Sequence, residues 1–162
     1  PAKILNILNN EVIDNLKSTN EDTTVYDGMD IALICYDRET EVLEYAGGYN
    51  PMILVRNGEL QEVKADRFAI GRSSLSQNDR DFTNHKIEMR RGDTIYIFTD
   101  GYADQFGGED GKKFKTKPMK ELLIAINEKS MEEQRSILNS TLDVWRGDID
   151  QVDDILIIGR RF

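Results

Sequence analysis

The sequence is short of several residue types, and each shortage excludes a class of protein. It has one cysteine, Cys35, so no disulfide can form within the chain, which fits a reducing, cytoplasmic setting. Cys35 lies inside an apolar run, where a buried, inert thiol is expected rather than a nucleophile. There is one histidine, His85, on an alternating stretch, and no constellation that would activate a nucleophile. No apolar run approaches the about 20 residues of a membrane-spanning helix, and no signal peptide is visible. Basic residues number 21 against 30 acidic ones, for a formal net charge of -9. A general nucleic-acid binder needs a basic face, so nucleic acid is excluded as a partner. A phosphorylated protein is not excluded, provided a metal neutralises its phosphate locally. What is present suffices for one domain: 162 residues, 39% of them hydrophobic, can bury a core of their own.

Hydrophobic spacing then sets the elements. Residues 3–18 read as an amphipathic helix, with Ile4, Leu5, Leu8, Val12, Ile13 and Leu16 at helical intervals. Residues 18–22 read as a polar loop. Residues 29–36 form a nearly continuous apolar strand, and 42–46 return from a turn at 37–40. Gly47-Gly48 and Asn50-Pro51 are expected to break the ladder before 52–55 resume it. Asn57-Gly58 is a two-residue hairpin signal leading to 60–63, so this region reads as an antiparallel meander. Residues 64–84 are less regular, with 73–81 a polar and mobile loop. Residues 83–89 alternate as a strand, and Arg91-Gly92 turns into an apolar strand ending at Asp100. Residues 101–111 read as glycine-rich and irregular. A helix is predicted over 118–127, with Pro118 in its opening turn. Ser130-Met131-Glu132-Glu133 matches a capping box for a second helix, which Gly147 closes. The last strand is predicted over 155–158. The fold class is α+β: antiparallel sheets covered by helices, as in a sandwich of two sheets with helices outside.

Phe98-Thr99-Asp100-Gly101 is the most informative stretch. A buried strand stops on a carboxylate, and Gly101 lets the chain turn at once and expose it. Asp153 and Asp154 form a second acidic site at the head of the last strand. Two strands that each end on an Asp can hold a hard cation between them, although Asp is also common at ordinary turns. Gly107 to Lys113 superficially suggests a phosphate loop, but the spacing is wrong and Lys113 stands where Ser or Thr is required. Lys112, Lys113, Lys115 and Lys117 read as a solvated basic face.

Five signatures occur in order: Asp27-Gly28-Met29-Asp30, Tyr45-Ala46-Gly47-Gly48-Tyr49-Asn50-Pro51, Ala69-Ile70-Gly71, Phe98 through Gln105, and Gln151-Val152-Asp153-Asp154-Ile155. Together they resemble the SpoIIE-type branch of the metal-dependent Ser/Thr protein phosphatases, the PPM superfamily. The resemblance implies a partial four-layer α-β-β-α sandwich and a phosphoserine/phosphothreonine protein phosphatase. Two Mn²⁺ or Mg²⁺ ions, held by carboxylates and waters, would activate a water for in-line attack on phosphorus. Carried over by motif, Asp100 ligates one metal, Gly101 beside it belongs to the same metal site, and Asp153 ligates the same ion, with Asp154 as the second choice. Asp104 matches a position tied to an additional, weaker metal site, which Asp27 or Asp30 would complete.

Two motifs of that family do not occur here: one resembling Asp-x-x-Gly-His-Gly, which carries the bridging ligand, and one resembling Gly-Asp-Phe-Tyr. His85 has no flanking glycine. The chain opens on Pro1, directly before a helical pattern. It is therefore expected to be the C-terminal portion, residues 1–162, of a phosphatase domain whose upstream metal-ligand segments lie elsewhere. Such a portion is expected to bind metal weakly and to be nearly inactive alone. The resemblance further implies bacterial signalling on a phosphorylated regulatory protein of the anti-anti-sigma type. It implies an upstream sensory domain, which could tether the protein to a membrane. Helix pairs and open sheet edges leave room for a homodimer. The competing reading is a pseudophosphatase that binds proteins without catalysis.

Overall fold

A computed structural model describes residues 1–19, 28–71 and 80–162 of the chain. The described residues fall into two units, one of residues 1–52 and 63–90, the other of residues 53–62 and 91–162.

In the first unit, helix α1 (Ala2–Thr19) forms where the helical spacing of apolar residues predicts it. It buries Leu5 and Ala2 against Ala46, Phe68, Ile70 and Phe82, with Leu8 and Val12 packed alongside. The rings of Phe68 and Phe82 pack against each other at 4.6 Å between centres, tilted by 44°. The sheet under this helix holds β1 (Ile31–Asp37), β2 (Val42–Gly48) and β5 (His85–Glu88) in the order β1-β2-β5, antiparallel throughout. Gly47 and Gly48 continue β2 rather than breaking it, paired with Ala32 and Ile31. The reason is close approach: a Cβ on Gly47 would lie 2.8 Å from the Ile31 carbonyl oxygen, and one on Gly48 would strike that of Phe68. Met29 makes an isolated bridge to Ile70 and precedes β1. Cys35 is exposed, contrary to expectation, because β1 is an edge strand and offers only partial cover along its length. The loops expected at 18–22 and 73–81 lie largely outside the described residues; Ser18 and Thr19 end α1.

The second unit is built on a four-stranded sheet of order β4-β3-β6-β9, from β3 (Met52–Arg56), β4 (Glu59–Val63), β6 (Thr94–Phe98) and β9 (Ile157–Arg161). Asn57 and Gly58 both take positive φ, 52° and 78°, which is the turn that a two-residue hairpin demands. The meander expectation fails between β2 and β3, which belong to different sheets. Asn50-Pro51 marks that change of sheet. Arg56, at the end of β3, clamps buried Asp93 at the head of β6 through two bonds of 2.9 and 2.6 Å.

Helices α3 (Thr116–Ala125) and α4 (Met131–Arg146) bring Met119, Leu123 and Leu138 onto Ile53, Val55, Tyr96 and Phe98. Pro118 sits in the first turn of α3. The Ser130/Glu133 capping box opens α4, and Gly147, with φ 53°, closes it. Residues 101–111 are more ordered than expected. They hold the one-turn helix α2 (Gly101–Asp104) and strand β7 (Phe106–Gly107), which pairs with β8 (Lys112–Lys113). These short pieces hold because Trp145 anchors them: its indole N–H donates to the Gln105 carbonyl, and its own carbonyl accepts from Gly108. The fold class is as predicted, α+β with antiparallel sheets and covering helices. No helix among the described residues is long and apolar enough to cross a membrane.

Candidate metal centre

Strand β6 is buried along most of its length, and its end delivers Asp100. Asp100 is the N-cap of α2, with φ -73° and ψ -17°, yet its side chain makes no capping bond. The carboxylate is exposed and unspent on the helix it begins. Helix α2 is a single turn, closed by the Asp104 N–H on the Asp100 carbonyl at 2.9 Å. Tyr102 ties it to α4: its hydroxyl donates to the Leu138 carbonyl at 2.9 Å, and its ring packs edge-on to Phe114. Burial pushes the Tyr102 phenol up to about 12, so it stays a neutral donor.

The second acidic segment is not a strand end. Strand β9 begins at Ile157, opposite Phe98, so residues 153–156 run past the end of β6 and lie beside Thr99 to Gly101. There the Thr99 hydroxyl donates to the Asp154 carbonyl at 2.8 Å and accepts from the Leu156 N–H at 2.9 Å. The Thr99 N–H donates to the Leu156 carbonyl at 3.0 Å. Gly101 is buried, and a Cβ there would run into the Asp154 carbonyl oxygen. Asp153 is exposed, and its Oδ1 accepts from the Asp154 N–H at 2.7 Å, which fixes the carboxylate over its own turn. Gln151 donates to the Asp153 carbonyl at 2.7 Å.

The structure thus joins the segments bearing Asp100, Asp153 and Asp154. Asp104 follows Asp100 by one turn, but its carboxylate is engaged by Lys113, Nζ to Oδ2 at 2.7 Å. Asp30 is exposed, between the Met29 bridge and β1 in the first unit. Asp27 lies outside the described residues. Sequence reading missed Thr99 and Lys113. Thr99 gave a weak signal, a hydroxyl between a buried strand and a turn; Lys113 gave none beyond its charge.

The joined donors are all carboxylate oxygens, the chemistry that Mg²⁺ and Mn²⁺ prefer over softer metals. Among the described residues, no group of three or more His, Cys, Asp or Glu is arranged to hold a metal ion. The residues therefore fit one side of an oxygen-donor centre.

Comparison with known proteins bears on the family and the fold. The family profile of stage II sporulation protein E matches residues 1–162. No curated protein matches the chain. Among solved structures, the SiaA-PP2C domain of Pseudomonas aeruginosa is similar at 32% identity and a TM-score of 0.82, over 100% of this chain and 61% of that one. This chain thus spans about three fifths of that domain's length. The phosphatase domain of the cell fate determinant SpoIIE from Bacillus subtilis, presoaked with Mn, is similar at 15% identity and a TM-score of 0.60, over 97% of this chain and 72% of that one. The Mycobacterium tuberculosis serine/threonine phosphatase PstP/Ppp is similar at 15% identity and a TM-score of 0.59, over 93% and 66% respectively. The chain belongs to the stage II sporulation protein E (SpoIIE) family and carries its PP2C-type phosphatase-domain fold.

Proposed function

We propose that this chain is part of a metal-dependent phosphoserine/phosphothreonine protein phosphatase, with Asp100 and Asp153 as metal ligands and Asp154 as the alternative to Asp153. One observation carries the reading: the Thr99 clamp holds two acid-bearing segments, distant in sequence, side by side. When bound, Mn²⁺ or Mg²⁺ supplies charge neutralisation for a phosphoryl group and acidifies water. The protein's own part is positional. Buried β6 fixes the origin of Asp100, and Gly101 admits the Asp154 backbone. The remaining ligands would come from further chain, since these residues span 61% of the SiaA-PP2C domain.

The proposed substrate is a phosphorylated regulatory protein of the anti-anti-sigma type, in cytoplasmic bacterial signalling. Control would come from an upstream sensory domain, with homodimerisation through open sheet edges. A second reading, a protein-binding pseudophosphatase, draws on the absence among the described residues of any closed acidic cluster.

The test is Mn²⁺-dependent phosphate release from a phosphoserine protein, by this chain and by a form extended upstream. Each is measured with and without Asp100→Asn. The extended form is expected to be active, to lose at least about a hundredfold on substitution, and to leave the 162-residue chain near background. An inactive extended form favours the binding module, and an Asp100→Asn variant with full activity overturns the ligand assignment.

A further inference from the structure

Asp104 matches a metal-ligand position, but its carboxylate already has a cation. Lys113 Nζ lies 2.7 Å from Asp104 Oδ2. This lysine is not a loose surface chain. The β7/β8 pairing sets Lys113 opposite Phe106, and its ammonium stands 5.9 Å from the centre of that ring. The hairpin is pinned at both ends: the Gly108 N–H bonds the Trp145 carbonyl at 2.8 Å, and the Phe114 N–H bonds the Gln105 carbonyl at 2.9 Å. Gly107 has no Cβ because Trp145 fills that space. The Lys115 N–H then returns to the Ala103 carbonyl, inside α2 itself, at 2.6 Å. One short hairpin therefore carries an ammonium to a position one helical turn from Asp100.

We infer that Lys113 is a built-in cation at Asp104, which neutralises that carboxylate and competes with a divalent ion for it. The inference rests on reading Asp100 as a metal ligand, and it sharpens that reading: ions bind on the Asp100 side while Asp104 stays closed. Both partners are partly exposed, at 45% and 39%, so the pair is breakable rather than permanent. An exposed ion pair of this kind weakens a competing ion's binding by up to about fivefold.

The experiment is a Mn²⁺ titration of this chain, read by electron paramagnetic resonance of the free ion, with circular dichroism to verify folding. Lys113→Gln is expected to tighten Mn²⁺ binding by about fivefold, or to add one weak site. Lys113→Arg should behave as the native chain. Asp104→Asn should change the native titration little, yet cancel the gain when combined with Lys113→Gln. The inference is overturned if Lys113→Gln leaves the titration unchanged, or if Asp104→Asn alone weakens binding as much as Asp100→Asn does. An Asp100→Asn titration identical to the native one removes the metal-centre reading. A gain from Lys113→Gln that depends on Asp104 would still uphold the competition.

Discussion

At Thr99 one hydroxyl closes two bonds, one as donor and one as acceptor, to a segment 55 residues away at Asp154. Gly101, two residues on, makes the same contact by lacking a side chain. The two positions can be loosened or wedged without touching any carboxylate. Thr99→Val removes both side-chain bonds and is expected to cost about 1–2 kcal/mol. Gly101→Ala forces a methyl against the Asp154 carbonyl and is expected to cost about 1–3 kcal/mol. In a protein of this size each should lower the melting temperature by several degrees, roughly 2–4 °C per kcal/mol. Both should also weaken Mn²⁺ binding, because the Asp153 segment shifts relative to Asp100. A Gly101→Ala chain with native melting and native Mn²⁺ affinity would mean that the Asp154 backbone yields freely and that the clamp does not define the centre. Asp100 and Asp153 stood out as candidates because a carboxylate beside a glycine or a second carboxylate at the edge of an apolar run is a local signal. Thr99 did not, since its meaning depends on a partner that no local window contains.

Elements divide the same way, according to whether their cause is local. The Asn57-Gly58 hairpin, the α1 stripe and the Ser130/Glu133 box were readable because each is decided within a few residues. The α2 turn and the β7/β8 pair were not, because pieces of two to four residues have no periodicity and exist only against Trp145 and Tyr102. The start of β9 was misplaced by two residues: Ile155 and Leu156 are apolar, but β6 has already ended opposite them. The capping box allows a pH test. The Ser130 hydroxyl, and then its backbone N–H, hold the Glu133 carboxyl below its ordinary value of 4.5. A lowered folded value means that the stabilisation is complete above the unfolded value and is lost as pH falls through the folded one. The native chain should therefore melt above Glu133→Gln at pH 7, and the gap should close as pH drops below 4.5. Thermal scans from pH 7 to pH 3 decide this; a gap that stays constant across that range would rule the carboxylate out as its source.

At the scale of the whole molecule, a net charge of -9 opposes one exposed hazard. Strand β1 sits at the end of its sheet, paired with β2 alone among the described residues. From Ile31 to Tyr36 it carries no charge and no proline, the devices that usually blunt an edge. Such a run is a template for a second strand, and only Asp37 at its end interferes. Between copies, charge repulsion reaches about 10 Å at 0.1 M salt but only about 3 Å at 1 M. Repulsion should thus keep the chain dispersed at low salt and fail at high salt. Light scattering under reducing conditions is expected to show association that grows from about 0.1 M to about 1 M NaCl. Cys35→Lys should suppress it, because Cys35 is exposed and pairs across the ladder with Glu44, where a lysine meets an opposite charge. The reductant excludes cross-linking through the thiol as the cause. Association that ignores salt, or survives Cys35→Lys unchanged, would mean that contacts elsewhere on the molecule drive it and that the β1 edge is inert.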